Sequence, residues 1–236
     1  MKSEEMTVVI SGATGGVGIE IAEIFAKNGY DTLLLGRNAD KLRHLSKKLV
    51  NRYGTQSEYC LIDATDEKSI EKCITYINDN YEQLMILINV AGVFPIGPAI
   101  EVEDELYNEC MDVNLKLPFL LSVGLFNLLK INGKGKVINI GSSSSYSGFK
   151  NTVIYCASKH ALLGLSRSLN DEWKEQGVSV HCISPGTIDT SMANVLTQDS
   201  STYISPSEFS QLVYDVASYK GNMLVEEVRA TRRVIR

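Results

Sequence analysis

A tyrosine and a lysine four residues apart, Tyr155 and Lys159, are the residues of this sequence best suited to proton chemistry. They fall near the start of a predicted helix, on one face and about one turn apart. A phenol has an ordinary pKa of about 10, and a nearby ammonium group stabilises its anion. We therefore expect Lys159 to lower the pKa of Tyr155, so that the phenol exchanges a proton near neutral pH. Ser142, in the loop after a predicted strand, can add a hydroxyl to this pair.

A glycine-rich turn, SGATGGVG, follows the apolar segment Thr7–Ile10 and precedes a stretch with helical periodicity. Such a turn exposes backbone N–H groups and the positive end of the helix dipole, which together favour a pyrophosphate. A flexible turn is the alternative, but its position between a first strand and a first helix favours nucleotide binding. The glycines fit G-x-x-x-G-x-G through Gly12, Gly16 and Gly18, and equally G-x-x-G-x-x-G through Gly12, Gly15 and Gly18. The motif alone leaves both spacings open.

Arg37 follows the second predicted strand, at the position that separates two cofactor preferences. An acidic side chain there binds the ribose hydroxyls of NAD, whereas an arginine can pair with the 2′-phosphate of NADP. Gly36 leaves room beside it. A solvated surface arginine is the other interpretation, since Gly15 offers no second basic side chain. The sequence therefore favours NADP(H), with NAD(H) as the less favoured cofactor.

Short apolar segments alternate with longer segments of helical periodicity, which predicts a parallel sheet covered by helices on both faces. Seven strands are expected, at Thr7–Ile10, Thr32–Leu35, Glu58–Ile62, Met85–Asn89, Lys136–Ile140, Ser179–Ile183 and Met223–Val228. Six helices are expected, at Gly16–Asn28, Ala39–Tyr53, Glu67–Asn80, Asp104–Leu129, Thr152–Gln176 and Pro206–Tyr219. The sequence thus predicts an α/β fold with a doubly wound, seven-stranded parallel sheet, in which residues 1–236 form a single domain. Ligands of such sheets bind at the carboxyl ends of the strands.

The composition is that of an ordinary globular protein and argues against several function classes. The 236 residues include 23 basic and 28 acidic side chains, a net charge of −5, and arginines gather only in the tail, at Arg229, Arg232, Arg233 and Arg236. We expect no nucleic-acid partner, because phosphate-backbone binding needs a basic surface. No apolar segment reaches the roughly 20 residues of a membrane span. The five cysteines and three histidines show no metal-ligand spacing, so we expect a cytoplasmic protein with no metal and no membrane partner.

Further motifs carry a family resemblance that covers nearly the whole chain. Asp63 follows the third predicted strand, Asn89-Val90-Ala91-Gly92 the fourth, Ile140-Gly141-Ser142 the fifth and Pro185-Gly186-Thr187-Ile188-Asp189-Thr190 the sixth, while Asn114 falls in the long fourth helix. Together with the glycine turn, Tyr155 and Lys159, they make the sequence resemble the short-chain dehydrogenase/reductase family, in its short branch with one Rossmann-type domain. The resemblance favours the first of the two glycine spacings. Val90 and Ser11 stand where the family more often has asparagine and threonine, and the ending lacks the frequent D-G-G.

The resemblance implies a role for each matching catalytic residue. Tyr155 would pass the proton to or from the substrate oxygen, and Ser142 would hydrogen-bond that oxygen, with Ser143 as the fallback. Lys159 would lower the pKa of Tyr155 and hold the nicotinamide ribose. Asn114 would position a water that links Lys159 to solvent.

The resemblance also implies a set of cofactor contacts. Gly12, Gly16, Val17 and Gly18 would form the phosphate turn, and Arg37 would meet the 2′-phosphate. Asp63 and the Ala64 backbone would meet the adenine, while Asn89 and Gly92 would line the floor of the nucleotide cleft. Beside Tyr155 and Lys159, the nicotinamide end would be held by Pro185, Gly186, Ile188 and Thr190. The alternative to these roles is a structural one, in which Asp63 stabilises a turn and Asn114 forms hydrogen bonds inside a helix.

Three segments are expected to form the substrate pocket, at Val93–Pro98, Ser144–Thr152 and Ser191–Ser205, the last within a substrate loop of about residues 187–205. Lys150 is the only cation in these segments, and we interpret it as solvated. This composition favours a neutral carbonyl compound or a carrier-bound acyl group over a sugar phosphate.

The resemblance implies an oxidoreductase that acts on CH–OH and C=O groups of a small molecule. We expect an NADP(H)-dependent reductase of a ketone or aldehyde, with 3-oxoacyl compounds among the candidates and Tyr155 as the proton donor. An NAD(P)-dependent alcohol or hydroxysteroid-type dehydrogenase and a non-catalytic NADP-binding regulator are the alternatives. The two long helices carry apolar residues beyond one face, and in the family they pair across a two-fold axis. We therefore expect a homodimer or a homotetramer.

Overall fold

The computed structural model describes residues 6–131, 133–195 and 200–232. The strands are β1 Thr7–Ser11, β2 Asp31–Gly36, β3 Ser57–Leu61, β4 Ile86–Asn89, β5 Gly135–Ile140, β6 Val178–Pro185 and β7 Glu227–Ala230. The helices are α1 Gly16–Lys27, α2 Ala39–Tyr53, α3 Glu67–Asn80, α4 Asp104–Met111, α5 Leu117–Gly124, α6 Phe126–Lys130, α7 Val153–Trp173 and α8 Pro206–Ser218. The predicted seven strands are all present.

All pairs in the sheet are parallel, in the order β3-β2-β1-β4-β5-β6-β7. This is the predicted doubly wound α/β fold, and the chain reverses direction across the sheet at β1, which pairs with both β2 and β4. The crevice at such a reversal is where ligands bind in open α/β sheets.

Alternate strand residues pack into two cores, one on each face of the sheet. Val8 and Ile10 join the core beneath α1, α2 and α8, whereas Val9 joins the core beneath α3, α5, α6 and α7. Both cores are aliphatic at their centres, with Phe25 and Phe209 in the first and Trp173 in the second. Because the inner strands are buried on both faces, their sequences are continuously apolar, as predicted.

The long fourth helix is not continuous, which corrects the expected helix Asp104–Leu129. One wide π-helical turn, Asp112–Lys116, separates α4 from α5, and Leu125 interrupts the helix again with φ −106° and ψ 3°. Pro118 has no N–H to donate to the carbonyl four residues before it, so a regular α-helix would lose a bond at Asn114. The π turn places that interruption next to the cleft.

The last strand begins at Glu227, four residues later than the expected Met223–Val228. Met223 and Leu224 are exposed, and the pairing with β6 starts at Cys182 opposite Glu227. An edge strand has one free side, so it tolerates charged residues. The carboxylate of Glu227 is paired with Arg167 and accepts the Tyr146 hydroxyl at 2.9 Å.

Candidate active site

The three residues predicted to carry proton chemistry meet on the wall of one cleft at the carboxyl ends of the strands. Ser142 lies two residues after β5 and caps a short helical turn, with its hydroxyl accepting the Ser144 N–H at 3.1 Å. Tyr155 and Lys159 lie in the first two turns of α7, and all three residues line the cleft. The cleft has a volume of about 970 Å³, which is large for a small-molecule site.

Protein atoms surround the phenol of Tyr155 closely, although part of the residue faces the cleft. Burial raises the pKa of Tyr155 to about 12, and the interaction with Ser142 acts in the opposite direction. The pKa of Tyr155 is therefore raised, whereas the sequence predicts that it is lowered. The free-energy cost of burying the phenolate exceeds the stabilisation that neighbouring groups provide. At neutral pH the phenol carries its proton.

Lys159 is buried, with 5 % of the residue exposed. Its ammonium group donates to the Ile140 carbonyl at 2.9 Å and lies 5.9 Å from the ring centroid of Tyr155. Burial lowers the pKa of Lys159 to about 8, because an ammonium ion is poorly stabilised away from water. The ammonium group thus lies beside the phenol ring, and its pKa is near the neutral range.

Asn114 lies in the π turn and is fully buried. Its side-chain oxygen accepts the Val93 N–H at 2.9 Å, and its amide group donates to the Val93 carbonyl at 3.0 Å and the Ser158 hydroxyl at 3.1 Å. The side chain therefore fastens the loop after β4 to α7. This is the helix-interior role given above as the alternative, and the water-positioning role stays a prediction.

Other backbone segments pass very close to the glycines of the turn after β1. Gly12 has φ +65°, a conformation that favours glycine, and a Cβ on it would lie 2.6 Å from the Ala91 nitrogen. A Cβ on Gly18 would collide with the Gly12 carbonyl, and one on Gly16 would lie 3.0 Å from the Thr190 methyl group. These contacts require glycine at Gly12 and Gly18 and leave little room for a side chain at Gly16, the three positions of the G-x-x-x-G-x-G spacing.

The first turn of α1 fits an anion. The helix begins at Gly16 with no side-chain cap and no acidic residue in its first turn. Gly16, Val17 and Gly18 line the cleft there, at the end of the helix whose N–H groups and dipole favour negative charge. The turn is therefore suited to hold the pyrophosphate of a dinucleotide.

Two cations lie on the cleft wall after β2. Arg37 is exposed and lines the cleft, as predicted, and Lys41 in the first turn of α2 lines it too. The Asn38 side chain accepts the Lys41 N–H at 2.9 Å and starts this helix. Lys41 is thus the second basic side chain that position 15 does not offer. It lies four residues after Arg37, a spacing that places two side chains close together when both lie on a helix.

Asp63 does not line the cleft, although Ile62 and Ala64 on either side of it do. Its carboxylate accepts the Thr65 N–H at 3.0 Å and the Thr65 hydroxyl at 2.8 Å. These bonds hold the pKa of Asp63 below its ordinary value. Asp63 therefore shapes the turn after β3, as in the alternative given above, and its contact with an adenine stays a prediction.

Asn89 lies beneath the cleft rather than on its floor. It is 2 % exposed, its amide donates to the Asn139 side chain at 2.8 Å, and Asn139 in turn donates to the Ser166 hydroxyl at 2.9 Å. This buried chain ties β4, β5 and α7 together. Gly92, three residues later, does line the cleft, where a Cβ would lie 3.4 Å from the side-chain oxygen of Asn114.

The residues after β6 face the glycine turn. Pro185, Gly186, Ile188 and Thr190 all line the cleft, as the resemblance implies. Backbone bonds from Asp189 to Ile204, at 2.9 Å, and from Ile204 to Thr187, at 3.0 Å, close this segment into a loop. The part of the expected substrate loop at residues 196–199 lies outside the described residues.

The expected substrate segments form the mouth of the cleft. Phe94, Ile96, Phe149 and Met192 line it, and the Gly97 N–H donates to the Asn151 carbonyl at 2.9 Å, which joins two of the segments. The mouth is therefore largely apolar, and Lys150 lies on it as an exposed cation.

Arg232 also lines the cleft, which the sequence analysis missed. The rule that functional residues follow the strands would have found it if β7 had been placed at Glu227–Ala230. Of the other tail arginines, Arg229 lies in β7 and is not among the residues lining the cleft, whereas Arg233 and Arg236 lie outside the described residues. Arg232 therefore adds a cation to the cleft from outside the three expected substrate segments, in whose sequences Lys150 is the only cation.

Among the described residues no helix is long and apolar enough to cross a membrane. No group of three or more potential metal ligands occurs in the part of the chain that the structure describes, and the absence of a metal stays a prediction.

A Ser142, Tyr155 and Lys159 set beside a glycine cradle indicates a nucleotide-dependent oxidoreductase. Comparison with known proteins agrees, because residues 6–201 match the family described as short chain dehydrogenase. The chain belongs to that family, and it is an oxidoreductase of the class that acts on CH–OH and C=O groups with NAD(P).

Three similar proteins illustrate the match. A 3-oxoacyl-[acyl-carrier-protein] reductase, FabG, from Rickettsia felis is 32% identical over 192 residues, which are 81% of this chain and 76% of the relative. A Beutenbergia cavernae protein described as an NAD(P) dependent gluconate 5-dehydrogenase, solved with NADP, is 28% identical with a TM-score of 0.85 and coverage of 95% and 94%. A Shigella flexneri short chain dehydrogenase, solved with NADP, is 25% identical with a TM-score of 0.88 and coverage of 96% of each chain.

Proposed function

We propose that this protein is an NADP(H)-dependent reductase that converts a ketone or aldehyde to an alcohol, with 3-oxoacyl compounds as its substrate type. The observation that carries the proposal is the position of Tyr155, Ser142 and Lys159 on one wall of a cleft whose other end presents an anion-binding turn. A dinucleotide laid along the cleft would extend from Arg37 to Tyr155.

The proton step follows from the state of Tyr155. With a pKa of about 12, the phenol is protonated at neutral pH and can donate to the oxygen of a carbonyl as negative charge develops there. Ser142 would hydrogen-bond the same oxygen and hold it against the phenol. Lys159, with its ammonium group beside the ring, would stabilise the phenolate until it is reprotonated. The bound cofactor supplies the hydride to the carbonyl carbon.

The cofactor choice rests on charge at the adenosine end. Arg37 and Lys41 line the cleft there, and Asp63, the nearest acid after β3, is held in its own turn. A pair of cations favours the 2′-phosphate of NADP over the bare ribose of NAD. The NADP-bound Shigella flexneri and Beutenbergia cavernae structures support the same choice.

The substrate type rests on the mouth and on the FabG relative. The side chains of Phe94, Ile96, Phe149 and Met192 give the mouth an apolar surface, which suits an acyl chain. The Rickettsia felis relative is named for reduction of a 3-oxoacyl group on a carrier.

We also propose that residues 1–236 form one domain that acts as a homodimer or homotetramer in the cytoplasm. Exposed apolar side chains support association, since Tyr107 on α4, Phe119 and Val123 on α5, and Val153 on α7 are each more than two fifths exposed.

The experiment is to follow NADPH consumption against ketones, aldehydes, quinones and 3-oxoacyl thioesters, with NADH in parallel. The proposal expects NADPH-dependent turnover of the 3-oxoacyl thioesters at a higher kcat/KM than with NADH. Tight NADPH binding without turnover of any carbonyl would contradict it and would indicate a cofactor-binding regulator.

A further inference from the structure

The charge on the cleft wall is the opposite of the charge on the whole protein. The chain has a net charge of −5, yet the described residues that line the cleft include Arg37, Lys41, Lys150, Lys159 and Arg232 and no aspartate or glutamate. A cleft of one sign concentrates ligands of the other sign.

The strand order places Arg232 on the far side of the catalytic residues from the cofactor phosphates. Arg37 follows β2, Ser142 follows β5 and Arg232 follows β7, in a sheet whose order is β2-β1-β4-β5-β6-β7 on that side. With a strand spacing of about 4.8 Å, β5 lies about 14 Å from β2 and about 10 Å from β7. Arg232 packs against Gly186, a residue expected at the nicotinamide end, and lines the cleft on the β7 side of it. The arginine therefore lies toward the end of the cleft where a substrate carbonyl would meet Tyr155.

Arg232 is held in place at that position. It is half-buried, its Cγ lies 3.3 Å from the point where Gly186 would carry a Cβ, and its guanidinium donates to the Thr202 hydroxyl at 3.2 Å. The guanidinium also lies 5.7 Å from the ring centroid of Tyr203. Its only hydrogen-bond acceptor in the described part of the chain is this neutral hydroxyl, and no described carboxylate pairs with it. A guanidinium has five N–H donors, so most of them are available to a ligand.

We propose that Arg232 binds a negatively charged oxygen group of the substrate, a carboxylate or a phosphate, so that among 3-oxoacyl and other carbonyl compounds the preferred substrate carries such an anionic group. The proposal rests on the proposed function, since it concerns the molecule that Tyr155 protonates. A planar guanidinium can bind either group through two parallel hydrogen bonds. The bound anion would fix the distance between its own charge and the carbonyl at Tyr155, and would thereby select the length of the substrate.

Lys150 is the other cation near the substrate, and it is a weaker candidate. It is exposed and follows the exposed Phe149 on the mouth, where water screens its charge. The matched control is Arg229 on β7, an exposed arginine that is not among the residues lining the cleft.

The test compares acids with their neutral counterparts. The probes are 4-oxopentanoate and its methyl ester for a carboxylate, and dihydroxyacetone phosphate and dihydroxyacetone for a phosphate, each with saturating NADPH. We expect the wild-type protein to reduce the anion of at least one pair with a higher kcat/KM than its neutral counterpart. The pair that shows this preference identifies the bound group as a carboxylate or a phosphate. Arg232→Gln should lower kcat/KM for that anion by about 10- to 100-fold, the loss typical of one hydrogen-bonded charged contact, and leave the neutral counterpart within about twofold.

Three further measurements keep a structural role separate from a binding role. Thr202→Val removes the contact that holds the guanidinium and keeps its charge, Arg232→Lys keeps a charge without the planar group, and Arg229→Gln removes a charge outside the cleft. We expect partial losses of kcat/KM for the anion in Thr202→Val and Arg232→Lys, little change in Arg229→Gln, and an unchanged Kd for NADPH in all of them.

The inference is wrong if Arg232→Gln lowers kcat/KM equally for the anion and its neutral counterpart. It is also wrong if the substitution weakens NADPH binding to the same extent. A wild-type protein that reduces neutral carbonyls but shows no preference for either anion would overturn it as well. Failure to reduce any carbonyl would instead overturn the proposed function itself.

Discussion

The ring of Phe94 lies edge-on against the ring of Tyr155, with centroids 4.5 Å apart and planes inclined by 67°. The contact joins the loop after β4 to the start of α7, and both residues line the cleft. It also contributes to the burial that raises the pKa of Tyr155. Phe94 is thus positioned to fix the orientation of the phenol.

Phe94→Leu should therefore lower kcat by about 2- to 10-fold, the equivalent of the 0.5 to 1.5 kcal/mol of an aromatic pair. The Kd for NADPH should not change. The matched control is Phe126→Leu, which removes a ring that packs 4.6 Å from Trp173 and lies outside the cleft wall. It should cost stability and leave kcat intact. Full kcat in Phe94→Leu, measured by NADPH oxidation, would show that the ring contact does not orient the phenol.

Arg37 and Arg43 offer a matched pair for the cofactor preference. Arg37 lines the cleft, whereas Arg43 pairs with Asp40 at 3.0 Å and donates to the Tyr59 hydroxyl at 3.3 Å. Arg37→Gln should raise the Kd for NADPH by about 10- to 100-fold, because it removes a charged hydrogen bond to the 2′-phosphate. The Kd for NADH should stay within about twofold, and Arg43→Gln should change neither. Fluorescence titration measures both constants, and an equal loss for the two cofactors would argue against a 2′-phosphate contact.

Lys159 should make stability depend on pH in a defined direction. Burial lowers its pKa from 10.5 to about 8, so between these values the unfolded chain holds a proton that the folded protein has released. The free energy of unfolding then rises with pH in that interval. A shift of this size corresponds to about 3 kcal/mol at about 1.4 kcal/mol per pKa unit. The destabilisation is fully present below pH 8 and is relieved as the pH approaches 10.5.

Urea unfolding of the wild type and Lys159→Met at pH 7 and pH 10 tests this direction. Relative to Lys159→Met, the wild type should become more stable as the pH rises. If the difference in free energy of unfolding between the two proteins is the same at both pH values, folding does not lower the pKa of Lys159.

The proposed assembly depends on the exposed apolar residues of α5 and α7. Light scattering should give two or four times the chain mass of 26.0 kDa. Phe119→Glu with Val123→Glu should reduce that mass to one chain, since charges are costly in an apolar interface. Val50→Glu, a change at an equally exposed apolar residue on α2, should not. A wild-type protein of one chain mass at micromolar concentration would contradict the proposal.

Much of this architecture can be predicted from the sequence because each inner strand is buried on both faces. The segments around Val9, Leu34 and Ile88 are continuously apolar for that reason, and the order of glycine turn, Ser142 and Tyr155 then assigns them to one edge of the sheet. The edge strand β7 lacks this signal. Glu227 and Arg229 interrupt its pattern, so the prediction shifted to the apolar but exposed Met223.

The remaining differences arise from contacts between distant parts of the chain. Arg232 follows β7 and meets Gly186 and Thr202 only after the sheet has formed, so no local pattern indicates that it lines the cleft. The pKa of Tyr155 depends on how many atoms surround its hydroxyl, which spacing to Lys159 does not reveal. The π turn at Asn114 combines a local cause, Pro118, with a distant one, the hydrogen bonds between the Asn114 side chain and the Val93 backbone.

The central claim is that Tyr155 donates the proton, and Tyr155→Phe tests it most directly. The variant keeps the ring that packs against Phe94 and removes only the hydroxyl. NADPH titration should give the wild-type Kd, while kcat for the best carbonyl substrate should fall by at least about 100-fold, the usual contribution of a general acid. Unchanged Kd with kcat retained at the wild-type level would contradict the account.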